Sequence, residues 1–129
     1  MKFDEAALDV YIDYHDMLLQ RACDIIKIYN DIHHTNWDLD NFYIGDDKQL
    51  SIELYWWRGD RESMTISFTK EFIFKDKEEL QQAMEDLYAA EAERERQEKE
   101  ARRQKAEKEQ EERERKEYER LQKKFGDTK

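Results

Sequence analysis

Three histidines, one cysteine and 33 carboxylates are the groups in this 129-residue chain whose types suit acid–base, nucleophilic or metal chemistry. Their spacing does not support such chemistry. His15 and His33 share one angle on a helix, yet 18 residues place them about 27 Å apart along its axis, too far to hold one ion. They are expected as satisfied core or boundary residues. His33, His34, Asp38 and Asp40 form a local cluster, but their spacing matches no established ligand pattern. No metal and no cofactor is therefore expected. Cys23 stands beside Asp24, and a neighbouring carboxylate disfavours the thiolate nucleophile, so a buried structural cysteine is expected. The sequence has no Gly-rich phosphate loop and no nucleophile elbow. The chain reads as a non-enzyme.

Two other constellations suit binding. The first is an acidic stripe: Glu5, Asp9, Asp13, Asp16, Asp24 and Asp31 fall on one side of a helix, interrupted only by Lys27. Ordinary solvated faces mix both signs. An acidic stripe about 40 Å long imitates a track of phosphates, and Asp9, Asp13, Asp16 and Asp24 are its candidate partner-binding residues. The second is aromatic. In Tyr55-Trp56-Trp57-Arg58, strand alternation sends Trp56 to the core with Leu54 and sends Tyr55 and Trp57 to the other face. Tyr43 has that second parity. With too little chain to cover both faces of a small sheet, Tyr43, Tyr55 and Trp57 are expected to be exposed together as apolar anchors. A second subunit on that face would cover them instead.

Three kinds of element must position these groups. The periodicity predicts a helix from about Asp4 to His33, with Phe3 and Leu8 spaced as a hydrophobic staple around Asp4. Leu8, Tyr11, Ile12, Leu18, Leu19, Ala22, Ile25, Ile26 and Tyr29 gather on its apolar face. A strand-rich block follows from Trp37 to Phe74, punctuated by turns at Gly45-Asp46-Asp47 and Gly59-Asp60. Parity predicts Ile44 opposite Leu50 and Phe42 opposite Ile52 in the first hairpin. In the second it predicts Leu54 opposite Ile66, Ile52 opposite Phe68 and Trp56 opposite Met64, with loops of three or five residues.

A last helix begins near Asp76, where Asp76-Lys77-Glu78-Glu79 has capping-box form. Leu80, Ala83, Met84 and Leu87 give it a short apolar stripe. Beyond Ala92 that stripe vanishes, but nothing breaks the helix before Gly126. Glu91 to Arg120 holds 12 acids and 11 bases, with i,i+4 pairs Glu95–Lys99, Glu98–Arg102, Glu109–Arg113 and Glu112–Lys116 worth roughly 0.2–0.5 kcal/mol each. A helix of about 48 residues, roughly 70 Å long, is expected. Tyr118, Leu121 and Phe125 add a small apolar stripe near its end. Without sustained apolar a and d positions, a solvated single helix is favoured over a coiled coil.

The whole is an α+β chain: an N-terminal helix, a three-stranded antiparallel sheet and a very long charged helix. Its domains are an acidic head, residues 1–90, and a charged tail, 91–129. Residues 1–74 carry 15 acids and 7 bases, while 75–129 carry 18 acids and 16 bases. The head is therefore truly acidic and the tail nearly balanced. Such a head repels nucleic acid and favours basic protein surfaces. No apolar run approaches 18 residues and the lone cysteine forms no internal disulfide, so a cytoplasmic protein off the membrane is expected.

The order helix, three strands, helix in a small acidic head resembles some phage-encoded inhibitors of defence nucleases, including certain anti-CRISPR proteins. That resemblance covers the head and implies a protein that blocks a basic, nucleic-acid-binding surface. The alternative is a structural or assembly protein, with the long helix as spacer or oligomerisation rod and self-association through the sheet face or the tail.

Overall fold

Helix α1 spans Glu5–His33, followed by β1 (Asp38–Ile44), a 3-10 turn (Asp46–Lys48), β2 (Leu50–Arg58) and β3 (Asp60–Phe68). The short α2 (Lys70–Ile73) then leads into α3 (Lys77–Gly126). These elements come from a computed structural model that describes residues 1–126. The α+β order is the one expected from the sequence. By its contacts the chain divides into two units, Met1–Leu87 and the residues from Tyr88 onward.

The start of α1 is set by Asp4, whose Oδ1 accepts the Ala7 amide at 2.9 Å. This satisfies one of the orphan donors of the first turn. Its end is set by His34 in the left-handed region, φ 55°, whose amide bonds the Asn30 carbonyl. The Asn30 side chain then reaches forward. Its Oδ1 accepts from the Trp37 amide at 2.9 Å and from the Thr35 hydroxyl at 2.9 Å, and its Nδ2 donates to the Trp37 carbonyl at 3.0 Å. That clamp delivers the chain from helix to sheet.

The sheet is an antiparallel meander with β2 in the centre. In the first hairpin Ile44 pairs with Leu50 and Phe42 with Ile52, as parity predicts. The second hairpin is shifted by two residues from the expected register. Leu50 pairs with Phe68, Ile52 with Ile66 and Leu54 with Met64, while Trp56 faces Glu62. A two-residue shift keeps every side chain on its expected face, so the alternation could not detect it. The observed register gains the Leu50–Phe68 pair and sets Ser51 against Ser67, whose hydroxyls share a hydrogen bond of 3.0 Å. It also shortens the turn to Gly59 alone between paired Arg58 and Asp60, rather than three or five residues. Gly59 adopts φ 84°, which other residues enter only with strain.

The strand block ends at Phe68, not Phe74. Phe68 and Phe72 meet edge to face at 5.5 Å; Ile73 is buried and Phe74 exposed. Asp76 then caps α3, accepting the Glu79 amide at 2.8 Å. The core is Ala22, Ile25, Ile26 and Ile28 of α1, Leu50, Ile52 and Leu54 of β2, and Phe68 and Ile73, closed by Leu80 and Met84 of α3. Trp56, expected inside, sits at the margin, edge-on to Trp37 at 5.5 Å and with the Arg58 guanidinium 4.0 Å above its ring.

Candidate protein-binding surfaces

The acidic stripe is solvated where it matters for a partner. Asp9, Asp13 and Asp16 are all exposed. Asp16 lies 3.9 Å from His15 Nδ1, and among the described residues no lysine or arginine pairs with the three. Asp24 differs: it is half-buried, and its Oδ1 accepts from Gln20 Nε2 at 3.0 Å. Asp24 is therefore less accessible than Asp9, Asp13 and Asp16, although no lysine or arginine pairs with it either among the described residues.

On the sheet, the aromatic trio is divided. Tyr43 pairs with Ser51, four residues from Tyr55 on β2, or about 13 Å along the strand. Tyr43 lies instead near Tyr11, His15 and Phe42. Tyr55 is half-buried rather than exposed. The Arg61 guanidinium lies 5.2 Å from its ring centroid and its Nη2 donates to Asp40 Oδ2 at 3.0 Å. Asp40 is the unpaired residue where β1 bulges against β2. Arg61 thereby spans from β3 to β1 across Tyr55, a covering that alternation could not reveal. Trp57 remains the exposed anchor on this face.

The sequence-flagged chemical groups stay apart. His15, His33 and His34 are exposed, and His15 and His33 take the boundary places expected of them, His15 at 5.2 Å from the Phe42 ring and His33 at 4.2 Å from that of Tyr29. Cys23 is exposed as well, because the arc of α1 seated on the sheet is narrower than its apolar arc. Among the described residues no three His, Cys, Asp or Glu side chains come together to hold a metal, and no helix is long and apolar enough to cross a membrane.

A further surface was hidden in that helix's length. At 29 residues α1 is about 43 Å long, whereas a nine-residue strand reaches about 30 Å. At most about 20 of its residues can lie along the sheet, so one end must overhang. All its buried residues lie from Ala22 onward, and Leu8, Val10, Tyr11, Ile12, Tyr14 and Met17 are exposed. The expected staple leaves Phe3 exposed too. Two grooves flank the Tyr14–Leu18 ridge: one beside Phe42, Tyr43 and Ile44, the other, about 350 Å³, lined by Tyr14, Met17, Leu18, Arg21, Ile73 and Phe74.

In the tail, ion pairs form differently from the expected set. Of the four anticipated pairs only Glu112–Lys116 is an ion pair, at 3.6 Å; Arg102 and Arg113 instead turn their Nε to the backbone carbonyls of Glu98 and Glu109. The stronger bonds are i,i+3. Arg96 grips Glu93 through Nε and Nη2 at 3.0 and 2.5 Å, Arg120 grips Glu117 likewise at 3.2 and 2.6 Å, and Arg103 bridges Glu100 and Glu107. A guanidinium fork matches a carboxylate two bonds at a time, which lysine cannot do. These hydrogen bonds hold the Glu93, Glu100 and Glu117 carboxyls below the ordinary glutamate range.

No protein-family model, curated protein or solved structure matches this chain.

Proposed function

We propose that the head is a non-enzymatic acidic binding module that occupies a basic, nucleic-acid-facing surface of another protein, in the manner of a phage-type inhibitor. The observation that carries this reading is the row of Asp9, Asp13 and Asp16, exposed and without a lysine or arginine partner among the described residues. A row of unneutralised carboxylates one helical face wide attracts cationic surfaces over roughly a Debye length, about 10 Å at 0.1 M salt. The non-catalytic part of the proposal is supported by the isolation of the reactive types. Cys23 and His15 are eight residues apart on one helix, about 12 Å along its axis, beyond hydrogen-bond reach.

The test uses the whole chain as bait in a lysate of its source, beside the Asp9→Lys, Asp13→Lys, Asp16→Lys triple variant. A protein with a basic nucleic-acid-binding surface should be retained by the wild type at low salt, displaced by added DNA or RNA, and lost from the triple variant. Equal retention by the triple variant removes the stripe from the mechanism.

The unbroken run of α3 over 50 residues favours a second reading, a spacer or oligomerisation rod. Rod-based assembly changes little with ionic strength, whereas stripe-based binding weakens steeply.

A further inference from the structure

We propose that the N-terminal half of α1 is a homodimer interface, in which two copies pair antiparallel and each inserts Phe3 into the groove beside Arg21 of the other. The inference is independent of the acidic-stripe reading and uses the opposite side of the same helix.

The first argument is what lies on that side. Between Leu8 and Leu18, the sector of α1 that continues the core-facing arc carries no carboxylate and no lysine. Asp9, Asp13 and Asp16 point away from it, since 100° per residue places them opposite Tyr11, Tyr14 and Leu18. Two such arcs can therefore face each other without opposing like charges, and both acidic stripes remain in water. A contiguous apolar face left uncovered on a small head marks an interaction site.

The second argument is the match between one knob and one hole. Phe3 is 81% exposed, just ahead of the Asp4 cap. The groove lined by Tyr14, Met17, Leu18, Arg21, Ile73 and Phe74 is largely apolar and holds about 350 Å³. Phe3 precedes the middle of that groove by about 14 residues, on the extended segment just ahead of the helix. A two-fold axis beside Val10 and Tyr11 consequently brings each Phe3 to the other copy's groove. An isologous contact of this kind closes on itself.

The third argument is Arg21. Its Nη1 is cut off from water and has no hydrogen-bond partner, a state that carries the penalty of an unsatisfied buried donor. An aromatic ring entering the groove offers the guanidinium a cation–π face. The Asp4 carboxylate arrives with it and complements the charge of the guanidinium. A purely aliphatic occupant would leave the guanidinium unanswered.

Size agrees. Phe3, Tyr11, Tyr14 and Phe74 are 81, 62, 61 and 83% exposed, and covering rings of this kind removes roughly 100–200 Å² each. With Leu8, Val10 and Met17 beside them, each copy approaches the roughly 800 Å² that a standard interface buries per partner.

Sedimentation equilibrium of the full chain at micromolar concentration tests the proposal, with circular dichroism to confirm folding. The wild type should be a dimer. Phe3→Ala and Tyr14→Arg, both at exposed positions, should each raise the dimer dissociation constant roughly 30-fold or more, the size expected of a central aromatic anchor. Trp57→Ala and Asp13→Lys, on other surfaces, should leave it unchanged. A photo-crosslinking benzoylphenylalanine at position 3 should join the other copy between Tyr14 and Arg21. A wild-type monomer overturns the proposal, as does a dimer that ignores Phe3→Ala and Tyr14→Arg, which would place the contact on the sheet face or the tail. A lysate protein cross-linked at position 3 in place of a second copy overturns it too. None of these outcomes touches the acidic stripe, whose own test is the triple variant.

Discussion

Asn30 holds Trp37 by both of its backbone groups, accepting from the amide at 2.9 Å and donating to the carbonyl at 3.0 Å. A primary amide is the one side chain that offers a donor and an acceptor side by side. The pair fixes how α1 hands the chain to β1, and it is part-buried, so neither Trp37 group has easy access to water. Asn30→Ala should lose roughly 2–3 kcal/mol in urea denaturation, since two polar groups are left unanswered. Asn30→Asp should also destabilise, because the carboxylate cannot donate to the Trp37 carbonyl. Full stability in both variants would show that the turn forms without the clamp.

The register of the second hairpin can be read chemically. Ser51 and Ser67 are paired with hydroxyls 3.0 Å apart, so cysteines at 51 and 67, with Cys23 replaced by serine, should close a disulfide on mild oxidation. Cysteines at 51 and 69, partners in the register shifted by two, should not. Mass spectrometry after alkylation distinguishes them. In the same hairpin Ile52→Ala and Leu54→Ala should each cost roughly 2–5 kcal/mol, being buried aliphatics on the central strand. Tyr55→Ala should cost less.

How much of this was legible beforehand follows from which physical rule each feature obeys. Asp4 and Asp76 were readable as caps because capping is local, decided within four residues. The faces of the strands were readable because alternation has period two, yet the same period hides a shift of two, and only the Leu50–Phe68 and Ser51–Ser67 pairs decide it. Cys23 was misplaced because periodicity shows how wide an apolar arc is, not how much of it a partner element covers. That one end of α1 overhangs the sheet had a signal in plain lengths: about 43 Å of helix against at most about 30 Å of strand. The Arg61–Asp40 bridge over Tyr55 had none, since it depends on a bulge in β1.

Truncation after Ala92 should leave a folded head. The buried side chains that α3 contributes are Leu80 and Met84, both well before the cut. Differential scanning calorimetry should show one cooperative transition within a few degrees of the full chain. A loss of many degrees would mean that residues beyond Ala92 support the head's core.

The tail's ion pairs predict a pH dependence with a definite sign. The carboxyls of Glu93, Glu100 and Glu117 are held below the ordinary glutamate range, first by hydrogen bonds from Arg96, Arg103 and Arg120 and then by their charge. A folded-state value depressed below the unfolded one contributes helix stability that is present above the unfolded value. That contribution is lost as pH falls through the depressed one. Carboxyl titration by NMR should therefore find these three midpoints lowered, and Arg96→Ala should return that of Glu93 toward the ordinary range. All three are fully exposed, so solvent and salt screen the effect and the loss of helix should be gradual.

The acidic stripe and the exposed tryptophan should act on different rate constants for a captured partner. Reversal of Asp9, Asp13 and Asp16 removes a long-range field, which works before contact, so its effect should fall on association and shrink as salt rises. No buried charge is created, because all three are exposed, and Asp13 and Asp16 lie beyond the first turn where the helix end favours acids. Trp57 is different. Its ring is 66% exposed, opposite Arg61 on the neighbouring strand and two residues from Tyr55. An apolar ring has no field to project and acts only once it is desolvated against the partner. Trp57→Ala should accordingly speed dissociation, leave association nearly unchanged and be indifferent to salt. Surface plasmon resonance of both variants at two salt concentrations separates these effects. Salt-sensitive slowing of association by Trp57→Ala would mean that the tryptophan variant disturbs the charged surface, and a fully normal Trp57→Ala would take the sheet face out of the interface.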